Sequence, residues 1–159
     1  MCRVTARFTA AIRCAPLRTA EFHYIRNFKS DRWPGGDPNG LDKPGTQPYT
    51  YEQLARNTNV ALADIDSGPT KAYLTLHRED PAVRPLYELA AGKRPQRELF
   101  DLAKDPFQMR NVAADPKYAG VVKRLDARLI AELRATGDPR VEGHGDVSNS
   151  YPARVPPGS

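Results

Sequence analysis

Apolar side chains recur at spacings of three and four over Tyr118, Val121, Val122, Leu125, Leu129 and Leu133. That stripe covers one side of a helix and requires a partner surface, since a lone helix cannot leave it in water. Asp115-Pro116 supplies an N-cap and a proline at the first helical position, where the missing N–H costs nothing. Gly137 supplies the stop. The pattern predicts a helix from about Pro116 to Ala135.

Two segments alternate with period two instead. In Glu98–Leu102, Phe100 and Leu102 fall on one face and Leu99 and Asp101 on the other, a half-buried strand at or near a sheet edge, which Lys104-Asp105-Pro106 ends. In Glu21–Phe28, residues Phe22, Tyr24 and Phe28 oppose Ile25. Residues 30–48, with Trp33-Pro34-Gly35-Gly36-Asp37-Pro38, predict a loop. Short helices are expected at Tyr51–Asn57, at Ser67–His77 with Ser67 as cap and Pro69 in the first turn, and at Pro85–Ala91 closed by Gly92. The fold class is therefore α+β: a small antiparallel sheet with a long C-terminal helix packed on it, joined by long irregular loops.

Composition adds that the core is modest. The chain has 159 residues, 15 prolines and 11 glycines, with a mean hydropathy of −0.63, the signature of one loop-rich domain. No run of about 18 apolar residues occurs, so no membrane span is expected. The N-terminus has early basic residues but no uninterrupted apolar stretch, which makes it a poor secretory signal. Cys2 and Cys14 both lie in the N-terminal arm and do not specify a redox compartment.

Of the net charge of +5, much comes from Arg3, Arg7, Arg13, Arg18 and Arg26 against Glu21. Such an arm attracts polyanions. Without interleaved aromatic residues or a nucleic-acid motif it reads as a solvated terminus, and nucleic acid is not the expected partner.

Three blocks resemble the sulfatases of the alkaline-phosphatase-like superfamily, nearest the heparan N-sulfatase (sulfamidase) branch. They are Arg18–Pro38, the segment from Glu98-Leu99-Phe100-Asp101-Leu102 to Asn111-Val112-Ala113-Ala114-Asp115-Pro116, and Thr136–Val141 followed by Gly145–Val147. The second is the most specific. The resemblance implies an atypical basic arm at 1–17, a sulfatase C-terminal-like domain at 18–136 and an irregular tail at 137–159. It implies that the domain docks beside a large α/β catalytic domain, missing here or separately encoded, with a sulfated glycan as a further possible partner. Full-length relatives use a formylglycine and a calcium ion and are usually exported or lysosomal. No metal-ligand block of that kind stands in this sequence, so neither cofactor is expected of this chain. The leading expectation is thus a domain that is silent alone and self-associates through its exposed apolar face; the alternative is an accessory module for a sulfated glycan or a separately encoded catalytic chain.

Cys14-Ala15-Pro16-Leu17-Arg18 satisfies the minimal Cys-x-Pro-x-Arg pattern for formylglycine formation, which makes Cys14 with Arg18 the one catalytic candidate. The resemblance puts Ser where Leu17 stands and places the motif at a helix start, far upstream of this strand, so the pattern is read as coincidental. Arg32 and Trp33 could form a charged stacking platform for a sulfated sugar, against the plainer reading of a Trp that anchors a loop. His23 and His77 lack a second ligand at a metal-binding spacing. His144 with Asp146 is read as a glycine-flanked turn rather than a metal pair.

Overall fold

The structure is a computed structural model and describes residues 14–144. Cys2, Arg3, Arg7, Arg13, Asp146, the Gly145–Val147 block and the remaining tail lie outside the described residues. The described residues divide into two compact units, 33–92 and 14–32 with 93–144.

The second unit holds the sheet. Strands β1 (Cys14–Arg18), β2 (Phe22–Asn27) and β3 (Arg97–Asp101) are antiparallel in the order β1-β2-β3, with Leu17 opposite Tyr24 and Tyr24 opposite Leu99. Thr19 closes the β1–β2 turn: its Oγ1 accepts from Phe22 N at 2.9 Å and its N donates to Phe22 O at 2.8 Å. A 3-10 turn (Pro116–Tyr118) leads into a helix over Ala119–Ala135, which lays Val122, Leu125 and Leu129 on Ala15, Leu17, Tyr24 and Leu99. The predicted stripe is therefore the face that packs on the sheet.

Both ends of the predicted helix are built as the sequence indicates. Asp115 accepts from Lys117 N at 2.9 Å. Gly137, at φ +64°, donates to Arg134 O, and Asp138 donates to Leu133 O, the paired bonds of a Schellman stop.

The edge of β3 is covered by its own loop. Asn111 Oδ1 accepts from Leu99 N at 2.9 Å, and Val112 N donates to Leu99 O at 2.8 Å. Asn111 and Val112 thus take the place of a strand partner at Leu99. Leu99, Phe100 and Asp101 are all buried, so this strand is not half-buried as its alternation suggests; Phe100, facing away from the helix, lies 6.3 Å from the His23 ring.

β1 crosses the boundary that the sequence places after Leu17. Its proline is tolerated because β1 is an edge strand.

The first unit carries three short helices, α1 (Tyr51–Arg56), α2 (Pro69–Leu76) and α3 (Arg84–Ala91), so the long helix of the second unit is α4. Their core is Leu41, Leu54, Ala61, Leu62, Ala72, Tyr87 and Ala91. Ser67 is not the cap of α2: the N-cap is Gly68, with no side-chain hydrogen bond. Ser67 instead bonds Thr58, its N donating to Thr58 Oγ1 at 3.1 Å, which commits its hydroxyl to the loop below. No helix among the described residues is long and apolar enough to cross a membrane.

Candidate functional site

Cys14 and Arg18 occupy the two ends of β1. Four residue-to-residue steps of extended chain separate them by about 13 Å, and both are exposed. The strand therefore does not bring them together. Arg140 reaches the start of the strand, where its Nη1 donates to the Cys14 carbonyl at 2.5 Å.

Trp33 and Arg32 are each half-buried. Trp33 walls a cavity of about 420 Å³ in the first unit, with Leu41, Pro44, Arg78 and Tyr87 among its neighbours. Arg32 N donates to Lys29 O in the second unit. Of the histidines, His23 is bonded through Nδ1 to Gln108 Oε1, and His77 caps the end of α2 and stacks on Tyr73 with ring centres 4.5 Å apart. His144 N closes a turn onto Pro139 O.

One cluster of polar contacts lies where β3 turns toward α4. Asp101 Oδ2 accepts from Lys104 Nζ at 2.7 Å and from Tyr118 Oη at 2.8 Å, and Lys104 Nζ also donates to Tyr118 Oη at 2.8 Å. The bond from Lys104, joined by that from Tyr118, holds the Asp101 carboxyl below the usual carboxylate range. The Asp101 bond likewise raises the Lys104 ammonium. A carboxylate kept ionised and a lysine kept charged are poor proton carriers near neutral pH. The triangle clamps the strand end to the helix entry; Arg110, Asp115 and Lys117 line the cavity of about 330 Å³ beside it.

A second cluster ties β2 to α4. Arg26 Nη1 bonds both oxygens of Asp126, at 2.9 and 3.0 Å, Tyr24 Oη donates to Asp126 Oδ1 at 2.8 Å, and Arg97 Nη2 stands 3.6 Å from Oδ2. Arg26 Nε is buried without a hydrogen-bond partner. The sequence carried one signal for this cluster, an acid at position 126 between the stripe residues Leu125 and Leu129. In the first unit the buried Lys71 is equally unannounced: its Nζ donates to three backbone carbonyls, of Thr58, Leu62 and Ile65.

No three His, Cys, Asp or Glu side chains converge as a metal site among the described residues. The calcium that the resemblance implies for full-length relatives is a hard cation that needs several oxygen ligands at one point, and the described residues offer no such point.

Over 49 residues, covering 31% of this chain and 10% of the relative, the sequence is 35% identical to an ulvan-active sulfatase of Formosa agariphila. A second ulvan-active sulfatase of that organism is 40% identical over 45 residues, 28% of this chain and 8% of the relative. The matches thus span about a tenth or less of the curated relatives' length. No protein-family profile matches the chain. These short stretches relate part of the chain to sulfatases.

Proposed function

We propose that this chain is a supporting C-terminal domain of a sulfamidase-like sulfatase and hydrolyses neither sulfate esters nor sulfamates by itself. The local identity to two sulfatases carries the reading. The geometry agrees with a scaffold: in the segment of strongest resemblance, Asp101, Asn111 and Asp115 are all spent on hydrogen bonds that build the strand edge, the turn and the helix cap. In this reading the nucleophile and the metal belong to a catalytic domain that this one supports. A contact surface for such a partner is available on the turn after β3, where Phe107 is 84% and Met109 54% exposed.

The test is sulfate release by the purified full chain, with calcium present, from ulvan and from an N-sulfated glucosamine. The expected result is none above the blank, and release proportional to chain concentration overturns the proposal. Genomic sequence upstream of Met1, read in all frames, tests the partner. A neighbouring frame encoding an α/β sulfatase domain supports it, and intergenic sequence with an unrelated neighbour counts against it.

A further inference from the structure

The outward face of α4 is basic and carries no aromatic side chain. Gly120, Lys123, Arg124, Ala127, Ala131 and Arg134 follow along it, all exposed. Both acids of the helix are already neutralised, Glu132 by Arg128 at 2.8 Å and Asp126 by Arg26 at 2.9 Å, so that Arg97, 3.6 Å from Asp126 and half-exposed, adds a positive charge in excess. Lys123, Arg124 and Arg134 have no ion-pair partner among the described residues.

At one end of this row lies a cavity of about 450 Å³ lined by Arg97, Lys123, Asp126 and the small side chains of Ala113, Ala119 and Ala127. The alanines leave room beside the two cations. From Lys123 to Arg134 the helix rises about 16 Å. A row of that length with a pocket at one end suits a linear polymer that sets one anionic group against Arg97 and Lys123 and others along the helix.

The geometry points to a binding face for a sulfated polysaccharide on α4, with Lys123, Arg124, Arg134 and Arg97 as its cations. The choice of sulfate ester over phosphate diester rests on the sulfatase reading above. It also has a structural ground: single-stranded nucleic acid is held by aromatic side chains on which bases stack, and this face offers none. Binding is then carried by charge and counterion release and falls steeply with salt.

The experiment titrates the full chain with dextran sulfate, unsulfated dextran and a single-stranded oligothymidylate of matched charge, at about 50 and 200 mM salt. Dextran sulfate should bind and dextran should not. Lys123→Gln/Arg124→Gln should weaken binding roughly tenfold and lower the salt slope by about two. Lys43→Gln/Arg84→Gln removes the same charge from exposed sites in the other unit and should change affinity less than about twofold. All four side chains are exposed, and circular dichroism verifies that helicity is retained. Equal losses in the two variants would mean attraction by net charge alone and would overturn the proposal. So would oligothymidylate binding as tightly as dextran sulfate, or no binding at all. None of these outcomes bears on sulfate release, so failure here and failure of the sulfatase reading remain separable.

Discussion

Tyr24 donates a 2.8 Å hydrogen bond to Asp126 across 102 residues of chain, joining the central strand to the final helix. Burial, reinforced by that bond and by the negative charge of Asp126, pushes the phenol up to about 12. Tyr24→Phe should cost about 1 kcal/mol. Because the folded value lies above the unfolded value of about 10, the stabilisation is complete below pH 10 and is lost as pH rises toward 12. The stability gap between wild type and Tyr24→Phe, measured by denaturant unfolding, should therefore narrow through that window; a gap that widens would show the phenol is not held neutral.

The same carboxylate holds Arg26, and both side chains are about a fifth exposed. Asp126→Ala leaves a largely buried guanidinium without its partner, with Nε already unsatisfied. Partial exposure softens this, and the expected loss is about 2 kcal/mol. Arg26→Met/Asp126→Leu, which removes both charges, should be less destabilised than Asp126→Ala alone. The reverse order in urea midpoints would show that the pair itself, rather than the stranded charge, sets the cost.

The long helix was legible because its information is local: the stripe from Tyr118 to Leu133, the acid at Asp115 and the glycine at Gly137 each act within a few residues. β2 was legible for the same reason. β1 was not, since Cys14-Ala-Pro-Leu-Arg has only Ala15 and Leu17 on its buried face and becomes a strand by pairing with β2. Ser67 was misread because a hydroxyl before a helix can equally bond a distant loop, here Thr58. At the candidate site the Cys14 pattern is local and conspicuous, yet the strand parts Cys14 from Arg18. The clusters that the fold does assemble, Asp126 with Tyr24 and Arg26, draw on residues about a hundred positions apart, which no spacing rule within one segment can register.

Lys71 offers a test in the first unit. Its Nζ donates to Thr58 O at 3.0 Å, Leu62 O at 3.2 Å and Ile65 O at 2.9 Å, and burial lowers its pKa. Lys71→Met should cost about 2 kcal/mol by stranding those carbonyls. In the wild type the folded lysine releases its proton at a lower pH than the unfolded one. Stability should thus rise with pH from the folded value up to 10.5, and this rise should vanish in Lys71→Met. Identical pH profiles for the two proteins would mean that Lys71 is solvated.

After α4, Arg140 joins the closing turn to the start of β1. Its Nε and Nη2 bond Asp138 at 2.8 and 2.6 Å, its Nη1 bonds the Cys14 carbonyl, and its guanidinium lies 5.7 Å from the centre of the Phe28 ring. The Arg140 bonds hold the Asp138 carboxyl down at about 2. A depressed carboxylate stabilises the fold above its unfolded value, 3.8, and that contribution is lost as pH falls from there toward 2. Arg140→Gln should return Asp138 to the ordinary range, remove this acid-side loss, and speed hydrogen exchange in β1, where the Cys14 carbonyl loses its donor. Carboxyl-carbon NMR titration reads the first effect directly. An Asp138 that still titrates near 2 in the variant would transfer the cause from Arg140 to the turn backbone, and unchanged exchange in β1 would mean that the strand is held by β2 alone.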